Sequence, residues 1–258
     1  MAEPQGGGEN DRPDPMRAAR NAARAGLPKR FYDKAEIAER DGGFVLALDG
    51  RLARTPAKAL LKVGTRKLAE AMVEEWNLQR DTIDPATMPI TKIVNSAIDG
   101  VSRETSAVAA DIVRYAASDL LSYRAGEPEV LAQRQHEAWD PLLAWAGADL
   151  GATLAVGTGV IFVPQPADAL EAIARAVAPL DPVRLAALHV VTTLTGSAVL
   201  ALAVARRRLE PESAWAAAHI DEDYQAELWG ADEEAQERRA ARWREMEAAS
   251  RILQLAVA

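Results

Sequence analysis

Two periods divide the chain. From Arg30 to Val63, in "RFYDKAEIAERDGGFVLALDGRLARTPAKALLKV", apolar positions come in short runs separated by Asp41-Gly42-Gly43 and Asp49-Gly50. Asp-Gly and Gly-Gly supply the positive φ that tight hairpins need, so this stretch predicts three or four antiparallel strands. Thr65 then caps a predicted helix in which Leu68, Met72, Trp76 and Gln79 share a face, before Pro85 and Pro89 break the pattern. A small sheet needs a cover, and this helix is the nearest candidate.

From about Thr91 onward the spacing is helical almost everywhere. Ser102 reads as the cap of a segment with Val108, Ile112, Tyr115 and Asp119 in register. Residues 129–139 and 141–150 read as two helices, the second with Asp140 as N-cap, Pro141 at its first position and Gly151 past its end. "ATLAVGTGVIFVPQ", rich in branched residues and glycine, reads as an extended arm or small ribbon laid on the helices. Asp181-Pro182 opens a long apolar helix, and Glu210-Pro211 opens an acidic one that Gly230 ends before a last helix rich in Arg and Glu. The expectation is an α+β protein. It has a disordered leader over residues 1–28, a small β-rich N-terminal domain with one covering helix over 29–97, and a larger mostly α-helical domain over 98–258.

The acidic helix carries an oddity. If residues 215–229 form one helix at about 100° per residue, then Trp215, Ala218, Glu222, Gln225 and Trp229 fall on one side, and two polar groups interrupt the apolar stripe. Buried polar groups require partners, so these side chains either bond within the protein or await a molecule from outside.

Composition narrows the options. With 49% hydrophobic and 26% charged residues among 258, the chain matches an ordinary globular protein. The absence of cysteine excludes disulfides, thiolate nucleophiles and cysteine-based zinc sites. A net charge of −8 argues against nucleic-acid binding, which needs clustered positive surface. Between Glu210 and Ser250 stand twelve acids and four arginines, a net of −8, so this last fifth alone matches the charge of the whole chain. That concentration reads either as a solvated acidic helix pair or as a docking face for a basic partner.

The uncharged run from Ala186 to Ala205 has the length of a membrane span, but it contains His189, Thr192, Thr193, Thr195, Gly196 and Ser197 and is the only such run. It is read as a helix buried within the helical domain, without membrane insertion. The leader has no signal-peptide apolar region, and Glu3, Glu9, Asp11 and Asp14 precede its Ala/Arg-rich part, so it is read as cytoplasmic.

Catalytic signatures are sparse. Gly6-Gly7-Gly8 is followed by no Gly-Lys-Ser/Thr, and "HEAWD" at 136–140 has Asp140 where a zinc helix has its second histidine. No metal site or cofactor is expected. Polar groups do recur among aromatics: Glu75-Trp76 with Gln79, Tyr115 with Asp119 and Arg124, Gln135 with Trp139-Asp140, and Glu222 with Gln225 and Trp229. Paired carboxylates could serve acid–base catalysis, which would need a deep pocket holding at least two of Asp119, Asp140 and Glu222. Caps and buried networks are the other reading, taken here for Glu75, Trp76, Asp119, Arg124, Gln135, Trp139, Asp140, Trp229 and Gly230. Trp229 is expected to lie mostly in the core.

Eight segments carry a family likeness. In order, "RFY" at 30–32, "LDGRLARTP" at 48–56, "EEWNLQ" at 74–79, "MPITKIVNSAID" at 88–99, "DLLSYRA" at 119–125, "RQHEAWDPLLAW" at 134–145, "LTGSAVLALA" at 194–203 and "DEDYQAELWG" at 221–230 resemble the assembly chaperone that holds the alpha subunit of the F-type ATP synthase. The likeness covers about residues 29–255.

The resemblance implies a monomeric chaperone without enzymatic activity or cofactor that binds the free alpha subunit until a beta subunit replaces it. It would lie in the cytoplasm of a bacterium or the matrix of a mitochondrion. It also implies a client-binding side made of Glu222, Gln225 and Glu233, with Asp221 and Glu234 beside them. The family follows the last glutamate with an acidic residue and then a His-Asp pair, where this chain has Glu234, Gln236 and Glu237; Gln236 keeps hydrogen bonding but does not titrate. Two other classes remain open at this point: a soluble carboxylate-dependent enzyme and a permanent helical adaptor.

Overall fold

A computed structural model describes residues 26–230 and 232–257; residues 1–25 of the expected leader lie outside them. The N-terminal strands are β1 (Ala35–Arg40), β2 (Gly43–Leu48), β3 (Arg51–Leu52) and β4 (Lys62–Val63). β2 is central. β1 pairs along one edge of it, from Ala35 opposite Leu48 to Arg40 opposite Gly43, while β3 and β4 pair antiparallel along the other. Asp41 and Gly42 turn the first hairpin and Asp49 and Gly50 the second, all four at positive φ, which matches strand twist in two-residue connections. Val45, Leu46, Ala47 and Leu48 of β2 are buried in succession, as a central strand covered on both faces requires.

Helix α1 (Arg66–Asn77) covers this sheet, packing on β1 and β2 with Leu68, Ala69 and Met72 buried. Thr65 caps it, its hydroxyl oxygen accepting from the Leu68 amide at 3.4 Å. The same hydroxyl donates to the carbonyl of Leu255 at 2.6 Å, which ties the C-terminal end of the chain to the edge of the sheet.

Nine further α-helices follow among the described residues, besides short 3-10 and π turns. They are α2 (Pro89–Asp99), α3 (Thr105–Ala116), α4 (Glu129–Trp145), α5 (Ala167–Val177), α6 (Pro182–Thr195), α7 (Ala198–Ala205), α8 (Pro211–Ala218), α9 (Ile220–Trp229) and α10 (Glu233–Leu255). α6 is the hub: α2, α3, α7 and α10 all pack against it. Asp181 caps α6 through the amides of Val183 and Arg184. One apolar cluster runs from Tyr32 and Leu46 under the sheet to Ile252 and Leu253 in α10. A short parallel pair, β5 (Tyr123–Arg124) and β6 (Gly157–Thr158), lies on the helices.

Four local expectations are corrected. The apolar run from Ala186 to Ala205 is two helices, because Gly196 adopts φ +67° and Ser197 caps α7 through the Leu200 amide at 3.0 Å. No described helix is long and apolar enough to cross a membrane. Ser102 does not cap α3; its hydroxyl donates back to the Ile98 carbonyl at 2.7 Å, and Glu104 precedes the helix.

Residues 129–145 are one helix with Pro141 inside it, so Asp140 is not an N-cap. The proline is tolerated because Asp140, Pro141 and Glu137, whose carbonyl loses its amide partner, lie on an exposed face where water can serve it. Finally, the expected ribbon is regular only over Gly157–Thr158; the residues after it form a loop.

Candidate functional site

The oddity of the acidic segment resolves at His219. Its backbone, at φ −116° and ψ 19°, breaks residues 215–229 into α8 and α9, so the helical phase restarts and the single stripe never forms. Trp215 turns to the core. Glu222, Gln225 and Trp229 share a face of α9 that points outward, and Trp229 is 81% exposed. The expectation of a core Trp229 is therefore wrong, and the cause is the restarted phase rather than any property of tryptophan. A signal was present in the sequence: three successive acids, Asp221, Glu222 and Asp223, belong in the first turn of a helix, where the dipole favours negative charge.

Specific contacts surround that break. His219 is buried, stacks on Trp215 with ring centroids 3.9 Å apart, and its Nδ1–H donates to the Trp215 carbonyl at 2.7 Å. Burial pushes its imidazole pKa down, so it is neutral at pH 7. Glu222 lies 3.9 Å from His219 Nε2 and 3.8 Å from Arg242 Nη1, too far for hydrogen bonds, and its side chain is 58% exposed. Asp221 is held by Gln135 at 2.6 Å, Asp223 by Arg239, and Glu227 by both oxygens to Arg134. Within α9, then, neither Glu222 nor the Gln225 amide is held by a hydrogen bond to the rest of the described chain, and Glu222 keeps only a loose ion pair with Arg242. Gly230, at φ +83°, ends the helix.

α10 starts directly opposite. Asp232 caps it through the Ala235 amide, Glu233 is exposed in its first turn, and Glu234 pairs with Arg238. α9 and α10 flank an open hollow of about 620 Å³ lined by Glu222, Gln225 and Trp229 on one side and Gln236, Arg239 and Arg242 on the other. The arginines were not anticipated from the sequence. They make the hollow acidic at one wall and basic at the other, while Trp229 adds a broad apolar surface.

The other polar–aromatic clusters are internal. Glu75 accepts from the Ile90 amide at 2.7 Å and from the amide and hydroxyl of Thr91, so α1 caps α2; burial raises its pKa. Trp76 is half-buried, its carbonyl accepting from the Tyr32 hydroxyl. Asp119 is fully buried, accepting from the amides of Leu121 and Val199, and burial pushes its pKa up to about 6. Gln135 accepts from the Ala125 amide, and Trp139 donates to the Ala217 carbonyl at 2.8 Å. Arg124, buried over the Trp139 ring, reaches out to the exposed Asp140 at 2.6 Å. Neither Asp119 nor Asp140 lines the hollow that holds Glu222, so the three carboxylates do not converge. Among the described residues no group of His, Asp or Glu side chains is placed to hold a metal.

An open, mixed-charge face with an exposed tryptophan, carried by a helical body, has the composition common at protein interfaces. The ATP12 chaperone protein family matches over residues 29–147. The crystal structure of the Atu1473 protein of Agrobacterium tumefaciens is 48% identical, over 95% of this chain and 92% of that one, with a TM-score of 0.87. That of Atp12 from Paracoccus denitrificans is 44% identical, over 89% of this chain and 99% of that one, with a TM-score of 0.84. Mitochondrial protein atp12 of Schizosaccharomyces pombe is 26% identical over 222 residues, 81% of this chain and 76% of that protein. The chain belongs to the ATP12 family and is a chaperone.

Proposed function

We propose that this chaperone serves assembly of the F-type ATP synthase by binding the free alpha subunit through the α9–α10 face and yielding it to the beta subunit. The observation that carries the reading is the set Glu222, Gln225 and Trp229: two polar side chains held by no hydrogen bond, beside an exposed indole, on the wall of an open hollow. Alpha and beta subunits alternate in a ring, so an unassembled alpha subunit exposes a large apolar interface that aggregates if uncovered. Glu222 and Gln225 give directional contacts to basic and amide groups there, and Trp229 covers apolar surface. Its place of action is the bacterial cytoplasm, or the mitochondrial matrix in a eukaryote.

The test mixes the purified chain with isolated alpha subunit and, separately, with beta subunit, following complex formation and light scattering. A soluble one-to-one complex with alpha alone, released by beta, is expected. A complex that beta does not displace would make the protein a permanent adaptor, and no complex with either subunit overturns the reading. Glu222→Lys is expected to weaken capture, by roughly 2–5 kcal/mol if the contact is desolvated and at most about 1 if it lies at the rim. Its two partners stand beyond hydrogen-bond reach, so the thermal midpoint should move by only a few degrees.

A further inference from the structure

At the break between α8 and α9, two hydrogen-bond acceptors face each other. The His219 side chain is 2% exposed, and its Nδ1–H is committed to the Trp215 carbonyl at 2.7 Å. A carbonyl oxygen only accepts, so the neutral ring carries its proton on Nδ1 and a lone pair on Nε2. That Nε2 stands 3.9 Å from Glu222 Oε2, and a lone pair offers a carboxylate nothing. The cations nearby are tied back. Arg242 is 3.8 Å from the other oxygen, Oε1, but its Nη2 donates to the Leu194 carbonyl at 3.0 Å and its guanidinium lies over the Trp215 ring. Arg239 is bonded to Asp223. Glu222 therefore lines the hollow with its side chain 58% exposed and no donor closed on it from behind.

We propose that His219 is a positioning residue for client recognition: its fixed tautomer turns a lone pair rather than a donor toward Glu222, which keeps that carboxylate free for a basic side chain of the alpha subunit. The inference rests on the proposed function, because the client it concerns is the alpha subunit. Protonation reverses the arrangement. An imidazolium carries an N–H at Nε2 as well, and a small rotation of the exposed Glu222 side chain across the 3.9 Å gap closes an internal ion pair. The carboxylate is then neutralised from behind, and the client's cation loses its partner. Burial is the largest influence on the ring and opposes its protonation, as do Arg239 and Arg242 on α10; the Trp215 carbonyl and Glu222 favour it. Asp221 and Asp223 are held by Gln135 and Arg239. α4 meets this corner through the uncharged Gln135 and Trp139, and α7 carries no charge along its length. The balance holds the imidazole pKa below its ordinary 6.5, so Glu222 is free at pH 7 and is withdrawn on acidification.

The experiment follows capture of isolated alpha subunit by the full chain from about pH 8 to about pH 5, alongside histidine 15N spectra of the free protein. The chain has three histidines, so the double variant His136→Gln with His189→Gln assigns the His219 signals. The spectra are expected to show the proton on Nδ1, and capture to weaken at least about tenfold as His219 is protonated, with the two midpoints coinciding. His219→Phe keeps a ring against Trp215 but has neither lone pair nor donor. It should capture alpha like the parent near pH 8 and lose the acid step, whereas a merely structural role for His219 would impair capture at every pH. Should that variant not fold, Glu222→Gln answers the same question, because without the carboxylate it should capture weakly with a flat profile. A proton on Nε2, or a step that persists in the folded His219→Phe or in Glu222→Gln, overturns the proposal. Parent capture that ignores the His219 titration, with Glu222→Lys impaired, also overturns it and leaves the α9–α10 reading standing. If Glu222→Lys captures like the parent, the site reading fails and takes this inference with it.

Discussion

Gln135 and Trp139 on α4, and Gln225 and Trp229 on α9, are the same pair of residues at the same spacing, yet they meet opposite fates. In the first pair both side chains are about 1% exposed and every polar group is used: Gln135 joins Ala125 to Asp221, and the Trp139 indole donates to Ala217. In the second pair the glutamine is unbonded and the indole is 81% exposed. An amide four residues from a tryptophan is thus neither a core motif nor a binding motif. What decides is whether the surrounding elements bring it backbone donors and acceptors. α4 lies against β5, α8 and α9, which supply them, whereas the outer face of α9 meets only the open hollow.

The largest break in that comparison comes from Trp139→Ala. The ring fills the space between α4 and α8, supports the Arg124 guanidinium at 4.9 Å, and satisfies a buried carbonyl. Its truncation is expected to cost about 3–5 kcal/mol in chemical denaturation, from cavity formation and the orphaned Ala217 carbonyl. The folded fraction should still capture alpha subunit, because the substitution leaves the outer face of α9 in place. A loss below about 1 kcal/mol would mean that the α4–α8 contact is not the stabilising one.

A second, smaller effect separates buried from exposed carboxylates by pH. Asp119 has a folded-state pKa raised from 3.8 to about 6 by burial, so the folded protein takes up this proton before the unfolded chain does. Its contribution to stability is therefore fully present below about pH 3.8 and is lost as pH rises through about 6. Between pH 7 and pH 5 the parent should gain on the order of 1 kcal/mol relative to Asp119→Asn, which lacks the titration. Denaturation midpoints of the two proteins at both pH values test this; a parent-minus-variant difference that stays constant would mean Asp119 does not titrate there.

How far the sequence predicted this difference depends on the range of the forces involved. The two Asp-Gly turns, the Thr65 and Asp181 caps and the cover of α1 over the sheet were legible, because each depends on residues within a few positions of one another. Pro141 misled because its tolerance depends on which face of α4 meets water, a tertiary fact. The break at His219 misled for a related reason. The stacked Trp215–His219 pair and the hydrogen bond between them end α8, and a period carried straight through residue 219 assigned Trp229 to the core. The acids of the candidate face were legible as a charge concentration. Arg239 and Arg242, which make the opposite wall, come from the next helix and needed the fold to place them.

Trp229→Ala is the smallest expected perturbation of stability and the sharpest use of the comparison. Its side chain is mostly in water, so removing it leaves no cavity, and Gly230 ends α9 by its backbone whatever stands before it. The unfolding free energy should change by less than about 0.5 kcal/mol, against the several expected for the same truncation at Trp139. Capture of alpha subunit should nonetheless weaken, because an exposed indole beside Glu222 and Gln225, neither held by a hydrogen bond, has the character of an interface anchor. Intrinsic fluorescence gives an independent reading of the same site. With Trp139 buried and Trp229 in solvent, addition of alpha subunit should blue-shift and protect from quenching a component that Trp229→Ala lacks. A spectrum of the parent that does not respond to the client, while capture proceeds, would place the contact elsewhere on the surface.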